Sequence, residues 1–129
     1  MSLTTNQQRV LDTLQQAKNP LSAYALLDRL RGAGFSAPVQ VYRALERLAE
    51  QGLVHRLESL NAYVPCTHSD GCRHGLKAFA ICDNCGHVDE FADEGLGRCL
   101  GRWMKNNAFS LRSSTIELHG KCAACAELQ

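Results

Sequence analysis

The chain has 129 residues, of which 45% are hydrophobic and 21% are charged, and its formal net charge is +1 at pH 7. This composition is typical of a globular protein and excludes a disordered tail, a fibre or a membrane protein. No apolar run approaches the roughly 20 residues of a membrane helix, and the first residues have neither the basic flank nor the apolar core of a signal peptide. We therefore expect a cytoplasmic protein with no membrane partner.

Helical patterns fill most of the first 52 residues. Thr5 and Gln8 have the spacing of a capping box, which predicts a helix over residues 5–17. Ser22 is suited to cap a second helix, and Gly32 is suited to follow its end. The chain therefore begins with two predicted helices joined by a short connection.

A third predicted helix begins at Pro38, which suits the first helical turn, and ends near Gln51. Two short strand patterns follow at residues 53–57 and 62–64, with a turn between them. Three helices followed by a hairpin are the order of a winged helix-turn-helix domain. In that fold the last helix enters the major groove of DNA.

The third predicted helix has two different faces. Val41, Leu45 and Leu48 recur at helical spacing and predict a buried stripe. The neighbouring stripe is polar and basic, which in isolation is typical of a solvated helix face. Within a winged helix the same stripe predicts contacts with base edges and phosphates. The residues predicted to bind DNA are Gln40, Tyr42, Arg43, Arg47 and Arg56.

The second half contains all seven cysteines of the chain. Its patterns predict an order β-β-α-β, so that the whole chain has an α+β fold. Cys99 lies on the apolar side of the predicted helix, and we expect it in the core. We place the boundary between the predicted domains after Pro65, giving domains 1–65 and 66–129. The predicted elements are strands at 77–81 and 88–91, a helix at 95–107 and a strand at 109–118.

Two Cys-x-x-Cys pairs stand out among these cysteines. An odd cysteine count excludes complete intramolecular pairing, and cytosolic thiols stay reduced, so metal ligation is favoured over disulfides. Two such pairs can close a tetrahedral four-thiolate site, which suits a structural zinc without an open position. A redox dithiol or unrelated cysteines are the alternatives. The predicted ligands are Cys82, Cys85, Cys122 and Cys125.

A further set of potential ligands surrounds these pairs. Each one alone has an ordinary explanation, but the loop from Cys66 to His74 concentrates cysteine and histidine between the two halves. This concentration is harder to explain by separate ordinary roles for each residue. The full set is His55, Cys66, His68, Cys72, His74, His87, Asp89, Glu90, Cys99 and His119.

Several segments together resemble the ferric uptake regulator superfamily. Cys66 and the second-half pattern are most similar to the zinc uptake regulator branch of that superfamily. The resemblance covers almost the whole chain, from about Leu3 to Cys125. The segments that carry it are residues 41–45, 50–55, 61–64, 82–86 and 117–125.

The resemblance implies a homodimeric, metal-sensing repressor of bacterial transcription that binds palindromic operator DNA. Its first domain would be a winged helix, and its second would form the dimer. The family's structural zinc would fall on the two Cys-x-x-Cys pairs, and its base-reading residues on Tyr42 and Arg43. The regulatory zinc would fall on His55, Cys66, His74 and Glu90, which implies at least two zinc ions per chain.

The chain departs from the family pattern at three places. The usual first helix of the family is missing, and we expect an effect on DNA affinity. Gln40 replaces the family's usual threonine. The segment from His74 to Cys82 lacks the histidine-rich run of the iron-sensing relatives, which favours a zinc-responsive repressor of zinc-uptake genes.

An iron-, peroxide- or thiol-redox-sensing regulator of the same superfamily is the alternative, with Cys66 or Cys72 as the reactive thiol. No enzyme motif is present, so we expect neither catalysis nor a small-molecule substrate. A third metal site built from His68, Cys72, His87 and His119 is left open.

Overall fold

The computed structural model describes residues 3–66, 78–112 and 114–126. The chain divides into two compact units, Met1–Arg73 and His74–Gln129. The division falls within residues 67–77, outside the described residues, so the predicted boundary after Pro65 stays a prediction. In the described part of the chain, every helix is too short or too polar to cross a membrane.

The first unit contains three helices and a two-stranded antiparallel sheet, which confirms the winged helix-turn-helix prediction. The β1–β2 register pairs His55 with Val64. The elements are α1 (Thr5–Gln16), α2 (Ala23–Leu30), α3 (Pro38–Glu50), β1 (Val54–Leu57) and β2 (Ala62–Pro65).

The predicted capping box of α1 is wrong by one residue. Thr4, which has extended backbone angles, caps the helix, and its hydroxyl accepts a hydrogen bond from the Gln7 amide at 3.1 Å. The Gln7 side chain accepts in turn from the Thr4 amide at 3.1 Å. Two adjacent threonines, each followed three residues later by a glutamine, make the two registers indistinguishable by pattern. Ser22 caps α2 as predicted.

The three helices pack around one apolar core. Val41, Leu45 and Leu48 are at most 1% exposed, which confirms the predicted buried stripe of α3. They meet Val10 and Leu14 of α1, among other buried residues of the cluster. Burying this stripe fixes the rotation of α3 about its own axis, so its opposite face is turned to solvent.

The second unit contains a three-stranded sheet in the order β4-β3-β5, with β3 antiparallel to β4 and parallel to β5. This arrangement confirms the predicted β-β-α-β order, and a short final helix adds to it. The elements are β3 (Ala78–Cys82), β4 (Val88–Phe91), α4 (Glu94–Asn106), β5 (Ile116–Gly120) and α5 (Ala123–Ala126).

The strand predicted at residues 109–118 is wrong over its first part, since β5 begins only at Ile116. Ala108 has a left-handed φ of 51°, and the Phe109 amide donates to the Met104 carbonyl at 2.8 Å. The Phe109 ring packs on Trp103 with centroids 5.7 Å apart. These contacts hold the start of the alternating segment against the end of α4, away from β3.

No residue of α4 is buried, although the helix is strongly amphipathic. Cys99 is exposed, so its predicted place in the core is wrong. Trp103, Phe109 and Leu111 are 55%, 54% and 46% exposed and, with neighbouring apolar side chains, line a cavity of about 260 Å³. The core of this unit instead lies on the sheet, where Phe79 is 1% exposed.

Candidate metal centres and nucleic-acid interface

The parallel pairing of β3 and β5 brings the two Cys-x-x-Cys pairs to one edge of the sheet. Cys82 ends β3 and lies opposite Gly120 at the end of β5. The Asp83 amide donates to the Gly120 carbonyl at 2.7 Å, which extends this pairing into the turn. Parallel strands end at the same edge, so residues 37 positions apart in sequence, Cys85 and Cys122, become neighbours.

The four sulfur atoms of these pairs all lie within 4.8 Å of one another. Cys85 and Cys122 are 3.8 Å apart, Sγ to Sγ. Sulfurs bound at about 2.3 Å to one tetrahedral zinc are about 3.8 Å apart, so the spacing fits that ion. The turn between the first two cysteines ends at Gly86, whose φ of 80° favours glycine.

Backbone amides make one of the four thiols acidic. The amides of Cys122 and Cys85 hydrogen-bond to the Cys82 sulfur and lower its pKa to about 6, against the opposing effect of burial. A hydrogen bond to the charged form stabilises a thiolate. Cys82 is therefore ionised at neutral pH and ready to bind a cation.

The other shifted thiols hold their protons more tightly. The His87 amide lowers the pKa of Cys85, but hydrogen bonding to Cys82, burial and the two other sulfurs outweigh it and raise that pKa to about 11. The Asn84 side-chain amide, 3.2 Å from the Cys125 sulfur, lowers the pKa of Cys125. Contacts with the neighbouring sulfurs and burial outweigh this bond, so the net shift is upward. Four thiolates at this spacing repel one another unless a bound cation offsets their negative charge.

The donor set identifies the cation that fits. Four thiolates in a tetrahedron suit zinc, which is borderline soft and has no redox chemistry. Such a site has no open coordination position, so it would hold the β3 turn to the start of α5 without taking part in catalysis. That these four cysteines bind zinc stays a prediction.

A second pair of potential ligands lies in the first unit. The Cys66 amide donates to the Leu53 carbonyl at 2.8 Å, which continues the β1–β2 ladder by one residue. In this register His55 and Cys66 are diagonal neighbours on one face of the hairpin. A ring nitrogen of His55 and the Cys66 sulfur lie within 4.8 Å of each other, and His55 is 9% exposed.

Cys66, which is half-buried, directly follows β2. A metal ligand must be a thiolate, so Cys66 can bind zinc only in its reduced form. Glu90, the predicted carboxylate ligand, lies half-buried in β4 of the second unit, opposite Phe79 of β3. The predicted ligand His74 lies outside the described residues, as do His68 and Cys72.

His87 and His119 are paired with carboxylates. His87 Nε2 lies 2.9 Å from an Asp89 oxygen, and His119 lies between Asp83 at 3.5 Å and Glu117 at 3.8 Å. Both histidines line a cavity of about 230 Å³ beside Cys82 and Cys122. Within the described ranges, neither belongs to a group of three or more potential ligands close enough to share an ion.

The exposed face of α3 carries most of the predicted DNA-binding side chains. Tyr42 is 41% exposed, and Arg43 is exposed with no ion pair to any described residue. Arg47 is paired with Glu50 at 3.4 Å. Arg56 is anchored within the β1–β2 hairpin by Glu58 at 3.0 Å and Asn61 at 3.1 Å.

Gln40 differs from these side chains because its amide is bonded to the turn before α3. The structure also shows an exposed aromatic residue that is not among the predicted DNA-binding residues. Tyr24 on α2 is 63% exposed. Its position outside the buried stripe of α2 is the sequence feature from which this exposure could have been predicted.

Comparisons with known proteins agree with this architecture. A model of the ferric uptake regulator family matches residues 1–119. The chain is 44% identical over 128 residues to the zinc uptake regulation protein of Escherichia coli (strain K12), covering 98% of this chain and 74% of that protein. It is 31% identical over 124 residues to the zinc uptake regulation protein of Mycobacterium tuberculosis (strain H37Rv), covering 95% and 93% respectively.

A solved structure supports the same relationship. The structure of a zinc uptake regulator complexed with zinc and DNA matches with a TM-score of 0.91 and 42% sequence identity. The match covers 99% of this chain and 85% of that one. The chain therefore belongs to the ferric uptake regulator family, in its zinc uptake regulator branch.

Proposed function

We propose that this chain is a zinc-responsive transcriptional repressor that binds palindromic operator DNA as a homodimer and represses zinc-uptake genes. The main support is that one chain contains both a four-thiol cluster and a winged helix. The same chain is 44% identical to a zinc uptake regulation protein. The identity to the ferric uptake regulation protein of Legionella pneumophila is lower, at 28%. Zinc is therefore favoured over iron as the effector.

The structural zinc would be held by Cys82, Cys85, Cys122 and Cys125. Their mutual distances and the acidic Cys82 thiol support this assignment. The described core of the second unit is small, and a tetrahedral ion would add the restraint that this core lacks.

A regulatory zinc would be bound by His55, Cys66, His74 and Glu90. His55 and Cys66 belong to the DNA-binding unit and already face each other, while Glu90 belongs to the second unit. Ligands from both units would fix the two units in one relative orientation. Zinc shifts such an equilibrium only if the DNA-binding arrangement binds it more tightly. Both sites together account for at least two zinc ions per chain.

In DNA binding, α3 would enter the major groove. Tyr42 and Arg43 would contact base edges, and Arg47 and Arg56 would contact phosphates. The burial of Val41 and Leu45 on the opposite face supports this orientation of the helix. A two-fold dimer presents two such helices, so the operator would contain two symmetric half-sites about one helical turn (~10 bp) apart.

The dimer would form through the second unit. Its amphipathic helix α4 buries no residue within the chain, and Trp103, Phe109 and Leu111 leave an apolar surface. A partner subunit would remove this surface from water. We place the protein in the cytoplasm with its DNA, as a regulator without catalytic activity.

The test is DNA binding at controlled metal concentrations. Protein purified with zinc and a thiol reductant, which keeps the cysteines reduced, should contain at least two zinc ions per chain. In fluorescence anisotropy, a duplex from a panel of palindromes should bind tightly with zinc, and weakly with a chelator, with iron(II) or after peroxide. Equal binding with and without zinc, or a response only to iron or peroxide, would contradict the proposal.

A further inference from the structure

The turn between α2 and α3 is closed by the side chain of Gln40. Its Oε1 accepts hydrogen bonds from the backbone amides of Ser36 at 2.7 Å and Ala37 at 3.0 Å. Its Nε2 donates to the Gly34 carbonyl at 3.4 Å. Both ends of the side-chain amide are thus bonded to the turn that leads into the recognition helix.

Helix α3 needs this side chain because its own cap residue cannot supply an acceptor. Thr4 and Ser22 cap α1 and α2 with their hydroxyls, whereas the cap of α3 is Ala37, which makes no side-chain hydrogen bond. In a capping box the third helical residue reaches back to the cap amide, and Gln40 performs this half of the motif. It also takes up the amide of Ser36, one residue earlier.

The same turn is held from its other side by α1. Arg9 donates a hydrogen bond from Nη1 to the Ala33 carbonyl. Gly34 has a left-handed φ of 95°, and a Cβ there would lie 3.2 Å from the same Arg9 nitrogen. The turn is therefore fixed between Arg9 and Gln40, and with it the first residues of α3.

We propose that Gln40 is a positioning residue that sets where α3 begins, and therefore how Tyr42 and Arg43 are presented to DNA, and that it does not read a base. This inference rests on the proposed function and revises the prediction that Gln40 contacts DNA. A glutamine that reads adenine uses both amide atoms on the base edge. Here that use would leave the Ser36 and Ala37 amides without the acceptor that they now share.

The test compares three variants of the zinc-loaded 129-residue chain. Gln40→Glu keeps the acceptor oxygen and loses the donor, Gln40→Leu loses both, and Gln51→Leu at the exposed end of α3 is the matched control. The first readout, taken without DNA, is hydrogen exchange of the Ser36 and Ala37 amides by NMR. The second is binding to operator duplexes that carry each single base-pair substitution.

A positioning role predicts that Gln40→Leu speeds exchange of both amides about tenfold. It also predicts weaker binding with reduced preference at the positions that Arg43 reads. Gln40→Glu should keep both amides protected and keep the preferred base at every position. Its negative charge should weaken all duplexes alike, and Gln51→Leu should behave as the unchanged protein.

A base-reading role predicts a different pattern. Gln40→Glu would then change the preferred base at one position of each half-site, or Gln40→Leu would flatten that position alone without altering exchange at Ser36 and Ala37. Either result would overturn the inference. If the unchanged protein bound no operator, the proposed function would fail. The exchange readout would then decide the positioning role by itself, and unaltered exchange in Gln40→Leu would refute it.

Discussion

Arg43 and Arg47 lie one helical turn apart on the exposed face of α3, but their surroundings differ. Arg47 is paired with Glu50, whereas Arg43 has no ion pair within the described residues. A guanidinium free of protein partners is suited to bidentate contact with guanine. We expect Arg43→Ala to cost about 1–3 kcal/mol of binding free energy and to relax the preference at one position of each half-site.

Arg47→Ala is the matched control for this prediction. Loss of a phosphate contact should weaken cognate and scrambled duplexes alike and reduce the salt dependence by about one charge. The measurement is a binding series over salt concentration, with zinc saturating, for both duplexes. If Arg43→Ala weakened the two duplexes equally, α3 would contact only the backbone through this residue.

Asn84 lies beside the four-cysteine cluster and contacts one of its sulfurs. Its side-chain amide donates to the Cys125 sulfur at 3.2 Å. Hydrogen bonds to ligand atoms orient them and disperse their charge, and losing one typically costs 10–100-fold in metal affinity. We expect Asn84→Ala to release the structural zinc faster, and Asn84→Asp faster still, because a carboxylate repels the thiolate.

Zinc release from these variants can be followed with a chromogenic chelator. Asn19→Ala, in the first unit, is the control and should match the unchanged protein. Folding of the zinc-loaded variants should be checked by circular dichroism, so that release reflects the site itself. Identical release from all four proteins would show that the bond from Asn84 contributes nothing to zinc retention.

Among the elements, those with strong local signals were predictable. Val41, Leu45 and Leu48 define α3 by their spacing, and the hairpin pattern defines β1 and β2. The two Cys-x-x-Cys pairs were predictable as neighbours in space, because a tetrahedral site needs four ligands. Such signals depend on residues close in sequence or on a fixed chemical requirement.

Other features depend on tertiary contacts that no local pattern contains. The alternation over residues 109–118 predicts a strand, yet Phe109 packs on Trp103 and pairing with β3 starts only at Ile116. Gln40 has the spacing of a base reader, but its amide closes a turn. Cys99 looks like a core residue because α4 is amphipathic, although that helix buries nothing within its own chain.

The proposed four-thiolate zinc site should also decide the stability of the second unit. It joins the end of β3 to the start of α5, and Cys82 and Cys125 are buried. Structural zinc contributes about 10–16 kcal/mol of apparent binding free energy in small zinc domains. We expect Cys82→Ser to unfold the second unit and abolish the dimer, with the first unit still helical.

Cys99→Ser is the control, since Cys99 is exposed and lies outside the cluster. It should keep its four-thiolate zinc and the folded second unit. Light scattering gives the oligomeric state and circular dichroism the helix content. A stable, dimeric Cys82→Ser protein would remove the structural role assigned to the cluster.

At the scale of the whole molecule, substitutions that remove the response to zinc should leave the protein folded. His55 and Cys66 lie in the first unit and Glu90 in the second. The proposed regulatory zinc would therefore couple the units without contributing to the folding of either one. We expect His55→Ala, Cys66→Ser and Glu90→Gln each to leave a folded dimer with its four-thiolate zinc. Each should weaken the second zinc and lose zinc-dependent DNA binding.

The position of His55 explains why its loss should act through zinc binding. His55 is buried on the hairpin, yet its loss should affect DNA binding through zinc alone, so raising the zinc concentration should partly restore it. Asp89→Asn, one residue from Glu90, removes a carboxylate that lies 2.9 Å from His87 Nε2. It is the control and should respond to zinc normally. The measurement is a buffered-zinc titration of operator binding, with metal content determined in parallel. If the three ligand variants repressed at the same zinc concentration as the unchanged protein, the sensor would lie elsewhere, and His87 and His119 would be the next residues to test.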